Sequence, residues 1–195
     1  MDETVLKEYP ESSVIIQRAT ETRVLRMGYK TDSIFCEICS EGQLEFAKWF
    51  VKRFPQTMKK DGHYTTTTRE LFFSKICQSK NREFIEWFSE SYPDVAIDLY
   101  AAANVFLSKD FEFIEWFLNK FSKLNIDCER VFEKICSEGD LELVKWFLKK
   151  FPQTDVHYAS DRAFTKACGN GHCELVKWFL EQFPETKIRY DDQYN

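Results

Sequence analysis

The most chemically specific residues in this 195-residue sequence are its seven cysteines and three histidines, and two places bring them close together. Cys36 and Cys39 form a C-x-x-C, the spacing of a dithiol redox pair or of half a zinc site. Cys168, His172 and Cys173 cluster within CGNGHC, a second group of soft ligands. Neither group completes four ligands, because no second C-x-x-C and no closely spaced histidine pair accompanies it. The glycines of CGNGHC follow no strand and match no phosphate loop. The cysteine count is odd and the opening MDETVLKEYPESS lacks the basic and apolar regions of a secretory leader, which points to reduced thiols. The expectation is no catalytic residue, no metal and no cofactor.

A third pattern is aromatic. His63-Tyr64 and His157-Tyr158 recur, and Arg189-Tyr190 takes the same place near the end of the sequence. Either each tyrosine packs at the base of a connecting segment, with its ring buried and its hydroxyl wet, or the pairs form a contact row for a partner. The residues leave both readings open.

The elements that position these groups come from a repeated phrase. SEGQLEFAKWFVKRFPQT at 40–57 returns almost unchanged as SEGDLELVKWFLKKFPQT at 137–154. All five tryptophans, Trp49, Trp87, Trp116, Trp146 and Trp178, share one register, each followed by phenylalanine and preceded four positions earlier by glutamate. Intervals of about 30 residues mean stacked supersecondary units. Cys39 then falls in one column with Cys77, Cys136 and Cys168, where a small residue lets neighbouring helices approach. Cysteine there reads as packing, and His172 and Cys173 as parts of a turn and a buried helix start. The tryptophans, at helical spacing with Val, Phe and Leu, read as core or edge of core, and the glutamates as charges at helix starts.

Each unit reads as two helices. Phe132, Ile135 and Cys136 lie on one face of the first, which stops at SEGD, where Gly139 can adopt the left-handed conformation. Asp140 is placed to cap the second. Its expected buried stripe is Leu143, Val144, Phe147, Leu148 and Phe151, widened by Trp146, and Pro152 closes it. The polar links, QTDVHYASDRAF and QTMKKDGHYTTTTREL among them, suit short extended fingers. The longest, around Met58 to Arg69, is a candidate for specificity.

The fold class expected is all-α, a helix-turn-helix solenoid with short β-hairpin fingers. Residues 1–31 would hold a truncated half repeat, from the match of LKEYPES to LKKFPQT, plus an unmatched hairpin-like insertion at 13–31. Five repeats would follow at about 32–57, 69–95, 98–124, 129–154 and 161–186, and 187–195 would be a partial finger or tail. No polar cap is visible after Phe183, so the final pair is expected to be covered by its own tail or to meet a partner.

Composition narrows the functional classes. With 44% hydrophobic and 30% charged residues, the chain is globular rather than low-complexity. A net charge of -5 without a basic stripe argues against nucleic acid. No apolar run reaches the roughly 18 residues a bilayer span needs. The expected location is cytoplasmic.

The stretch AFTKACGNGHCELVKWFLEQFP, 163–184, resembles an ankyrin repeat. Ala167 and Cys168 stand at the family's Ala-Ala pair, Gly171 and His172 at its turn, Glu174 at its glutamate, and Val176 to Leu180 at its helical run. The Trp-Phe pair and Phe-Pro ending are similar to divergent ankyrin arrays of giant DNA viruses and their amoebal hosts, over roughly residues 32 to 190. The family's opening Thr-Pro-Leu-His is absent, replaced by SIFC, LFFS, YAAA, RVFE and RAFT, and Lys80 and Lys109 replace its turn glycine.

The resemblance implies a non-enzymatic scaffold or adaptor binding a protein partner on a concave face of finger tips and first-helix starts. Carried over, that face comprises Asp32, Ser33, Glu70, Leu71, Leu99, Tyr100, Glu129, Arg130, Asp161 and Arg162. It continues before the inter-helix turns with Ser40, Glu41, Gln78, Leu107, Glu138 and Asn170, and His63, Tyr64 and His157 join it from the fingers. In a viral setting the partner would be a host protein and the location host cytoplasm or virion. The alternative is a structural component assembling through the amino-terminal hairpin and the uncapped final repeat.

Overall fold

The computed structural model describes residues 31–58, 68–123 and 126–186. The half repeat at the amino end, the insertion up to residue 30, His63 and Tyr64, and the tail from 187 lie outside the described residues.

The described residues form an all-α helical repeat fold of ten α-helices, α1 (Thr31–Ser40), α2 (Leu44–Arg53), α3 (Thr68–Ser79), α4 (Arg82–Ser91), α5 (Leu99–Leu107), α6 (Phe111–Lys120), α7 (Cys128–Glu138), α8 (Leu141–Lys150), α9 (Tyr158–Gly169) and α10 (Cys173–Gln182). A 3-10 turn, Pro55–Met58, follows α2. Contacts group the chain into two compact units, Met1–Val105 and Phe106–Asn195, the division falling near the end of α5.

The repeated phrase sets each helix boundary by local chemistry. Between the helices of every pair one residue takes positive φ: Gly42 at 70°, Lys80 at 59°, Lys109 at 57°, Gly139 at 73° and Gly171 at 76°. Asn81, Asp110 and Asp140 then cap the second helices, accepting hydrogen bonds from the amides of Phe84, Phe113 and Leu143 at 3.0 Å. At the far end Phe54, Phe151 and Phe183 donate their amides to Phe50, Phe147 and Phe179. The proline that follows ends the helix, and Thr57, Thr154 and Thr186 donate back to the preceding phenylalanine carbonyls at 3.1 Å, a proline-led tight turn.

Those turns decide the links. Among the described residues there is no strand, and 92–98 and 151–157 are turns and irregular chain where short hairpin fingers were expected. Among the described residues, the chain at Thr57, Thr154 and Thr186 folds back on the helix it leaves.

In the first unit α1 lies on α3, with the rings of Phe35 and Phe72 edge to face at 4.8 Å between centroids. Phe46, Phe50, Phe84, Ile85 and Phe88 of the second helices are buried behind them. In the second unit α7 lies on α9, and Phe132 bridges Phe147 at 5.9 Å and Phe179 at 6.0 Å. Burying each phenylalanine contributes about 1.5–3 kcal/mol, so Phe132→Ala is the type of change that costs about 3–5 kcal/mol. Phe132, Ile135, Cys136, Leu143, Val144 and Phe147 are buried as the spacing required, while Leu148 and Phe151 are half-buried. All five tryptophans are half-buried at the edge of the core. Trp49 stacks on Phe46 at 5.3 Å, and Trp146 leans on Phe111 at 5.2 Å.

Candidate functional site

Six of the seven cysteines are buried or half-buried, but Cys173, expected at a buried helix start, is exposed. Cys39, Cys77 and Cys136 have no exposed surface, and loss of solvent pushes all three thiols up, holding them protonated. Cys36 and Cys168 are half-buried and raised for the same first reason. A protonated thiol is neither a nucleophile nor a ready metal ligand. Among the described residues no group of three or more histidine, cysteine, aspartate or glutamate side chains is arranged to hold a metal ion.

The first unit carries an open groove of about 360 Å³ between α3 and the start of α5. From α3 come Leu71, Ser74, Lys75 and Gln78, three and four residues apart and therefore on one helical face. Across from them stand Asp98, Tyr100 and Asn104. Asn104 closes the floor, its amide nitrogen donating to the carbonyl and hydroxyl of Ser74 at 3.0 Å each. Leu71 and Tyr100 are 45% and 59% exposed, large apolar side chains left to solvent at the starts of neighbouring first helices. Asp98 caps α5, accepting the Ala101 amide at 2.8 Å. Burial raises the pKa of Asp98 and the charge of Glu70 raises it further, against the lowering effect of the Ala101 hydrogen bond.

Of the residues expected on a binding face, the groove thus brings together Leu71, Gln78 and Tyr100, with Glu70 beside it. Leu99 is half-buried and does not line it. On α1, Ser33 is exposed and Asp32 half-buried, while Ser40 donates to its own helix at Glu37 and Glu41 is exposed. Leu107 is half-buried at the end of α5.

In the second unit the charged positions engage one another. Arg130 is exposed and 3.5 Å from Asp127, and Arg162 is exposed and reaches Glu133 of α7 at 3.0 Å. Glu129 accepts the Asp155 amide at 3.4 Å, and Glu138 is exposed. Asn170 is exposed and donates to the Ser137 carbonyl at 2.7 Å, which the His172 ring also meets at 2.8 Å. Asp161 is only 8% exposed. Its carboxylate holds His157 Nδ1 at 2.5 Å, and Glu185 meets His157 Nε2 at 3.1 Å. The hydrogen bond to Asp161 is the main cause of a raised His157 pKa. Between these partners Ala159, Ser160 and Asp161 all take positive φ, a left-handed turn that bends the start of α9.

With α7 to α10 laid out in this way, comparison with known families becomes decisive for this stretch. Residues 132–180 match the family model described as ankyrin repeats (many copies). The match runs from Phe132 in α7 to Leu180 in α10 and supports an ankyrin-repeat protein. Ankyrin repeats generally mediate protein–protein interaction, and the family is a non-enzymatic interaction module. No curated protein matches the chain, and no solved structure does. Among the described residues no helix is long and apolar enough to cross a membrane.

Part of the groove has no signal within a single helix. Asp98, Ser74, Lys75 and Asn104 were passed over because each is unremarkable in its own unit. The one usable signal was an aspartate immediately before an apolar helix start, which predicts the cap but not a groove beside it. The Glu185 contact to His157 joins residues 28 positions apart and has no local signature.

Proposed function

We propose that the chain is a non-enzymatic protein-interaction module that binds a protein partner on the face formed in each unit by the starts of the first helices. The observation that carries this reading is the groove of the first unit, where Leu71 and Tyr100 stay exposed above a polar floor. Exposed aromatic and apolar anchors beside polar groups suit a protein surface better than a buried substrate. The five-repeat division of 32–185 is part of the same reading. So is the resemblance to giant-virus arrays, which would make the partner a host protein and the role recruitment or interference.

The test is affinity capture from lysate of the source cell or its host, comparing wild type with the combined Tyr100→Ala, Arg130→Ala, Arg162→Ala variant. A partner held by the wild type and lost by a folded variant supports this face. A partner held equally by both removes it.

A second reading, assembly through the last repeat, is favoured by one contrast in burial. Val176 is half-buried where Ala47, Ile85, Ile114 and Val144 of the other repeats are fully buried, and Leu180 beyond it is 47% exposed. Light scattering over a micromolar concentration series tests it. A constant monomer mass removes self-assembly.

A further inference from the structure

In the first unit an arginine sits on a tyrosine beside an aspartate, and the groove holds another aspartate and tyrosine close in sequence. Arg69 stacks on the Tyr92 ring with its guanidinium carbon 5.0 Å from the centroid, pairs with Asp94 at 3.1 Å, and donates from Nε to the Met58 carbonyl at 2.8 Å. The receiving set is therefore a tyrosine, an aspartate two residues away in sequence, and one neutral oxygen. Asp98 and Tyr100, in the opposite order along the chain and at the cap and first turn of α5, bring another aspartate and tyrosine to the groove. Among the described residues no cation pairs with Asp98. Lys75, on the opposite wall, donates instead to Gln78 at 3.4 Å. Asn104 supplies the neutral oxygen: its amide nitrogen is engaged with Ser74, leaving the side-chain carbonyl to a ligand.

Charge and shape suit a cationic ligand. Desolvation disfavours the Asp98 carboxylate more than the Ala101 amide favours it, Glu70 adds to the cost, and a positive group would relieve it. A planar guanidinium stacks on an aromatic face and forks onto a carboxylate, which an ammonium does less well. Leu71 offers apolar surface for its methylene stem. From Leu71 to Gln78 the α3 wall is about 10 Å long, room for about three residues of extended chain.

We propose that this groove takes an arginine from an extended segment of the partner protein, its guanidinium over Tyr100 and against Asp98. The inference rests on the chain being a binding module and names the side chain its first unit selects. Arg69 on Tyr92 and Asp94 illustrates the kind of contact the arginine makes.

The experiment is an amide-resolved NMR titration of the full isotope-labelled chain with the tripeptide Ac-Ala-Arg-Ala-NH2, using Ac-Ala-Gln-Ala-NH2 as control. The expected result is saturable shifts at the amides around Leu71 and Tyr100, absent with the glutamine peptide and weakened about tenfold in Asp98→Asn. Asparagine caps a helix as well as aspartate, so this variant keeps α5 intact. Three results overturn the proposal: no shifts with the arginine peptide, equal shifts with glutamine, or the same amides moving with protein concentration alone, which would give the groove to a second copy. Unmoved groove amides together with a partner lost in the combined variant refute the arginine but leave the binding module standing. Groove shifts together with an unchanged captured partner refute the wider reading instead.

Discussion

The imidazole of His172 lies so close over Gly139 that a Cβ at position 139 would come within 2.2 Å of Nδ1. The same ring reaches the Ser137 carbonyl at 2.8 Å through Nε2, so the turn of one repeat seats the turn of the next. Asn81 makes the corresponding link in the first unit, donating to the Gly42 carbonyl at 2.9 Å.

Gly139→Ala is therefore expected to cost about 2–5 kcal/mol, from about 1–2 for the left-handed φ and about 1–3 for the overlap. Gly42→Ala should cost less, mostly the backbone part, since its Cβ would meet Ser79 at 3.2 Å and Asn81 at 3.5 Å and no ring. Chemical denaturation of both variants, and of Gly139→Ala in a His172→Ala background, checks this. Equal costs with and without the imidazole would refute the steric account.

Lys80 occupies at φ 59° a position that other repeats give to glycine. Relief of about 1 kcal/mol of left-handed strain, less the added freedom of glycine when unfolded, should leave Lys80→Gly more stable, with Tm about 1–3 °C higher. A melting curve decides it, and a lower Tm would show that the lysine side chain contributes more than its backbone costs.

Arg69 anchors both the turn before residue 59 and the link after α4, through Met58 and Asp94. Lysine has neither the fork nor the plane to keep both contacts and the Tyr92 stack. Arg69→Lys is expected to lose about 1–2 kcal/mol, read as a shifted denaturation midpoint with an unchanged slope. An unchanged midpoint would mean that one contact suffices.

His157 faces Asp161 and Glu185, with Asp155 accepting its backbone amide. Its folded pKa is raised above 6.5, chiefly by the Asp161 hydrogen bond. The protonated ring can donate to both carboxylates and the neutral ring to one. The stabilisation is thus fully present below the unfolded pKa and fades as pH rises through the folded value. Melting wild type and His157→Gln between about pH 5.5 and 8.5 should show the wild-type advantage shrinking as pH rises. A difference that is flat, or that grows with pH, would contradict it.

Thiol labelling should be ordered by burial. Cys173 is exposed and should react first with a chromogenic disulfide, Cys36 and Cys168 more slowly, and Cys39, Cys77 and Cys136 only on unfolding. Fast labelling of Cys39 in the native protein would restore the dithiol reading of its C-x-x-C.

The repeat was legible because its signals are local. Asp140, Gly139 and Pro152 each act within a few residues of themselves, so spacing alone placed the cap, the left-handed turn and the helix end. The described links at 92–98 and 151–157 are turns and irregular chain and not extended fingers, since β-branched and turn residues suit both. Thr57 and Thr154 chose the turn by bonding back to the helix just left. The groove was half legible: Leu71, Gln78 and Tyr100 follow from register, whereas Asp98, Lys75 and Asn104 become neighbours of theirs only when α5 lies beside α3.

By itself the sequence determined the all-α repeat, its caps and its aromatic core, because periodicity and capping are properties of short segments. Tertiary structure alone decided which charges find partners. Arg69 reaches Asp94, His157 reaches Glu185, and Asp98 stands without a cation among the described residues, since such pairings depend on distances between segments far apart in the chain.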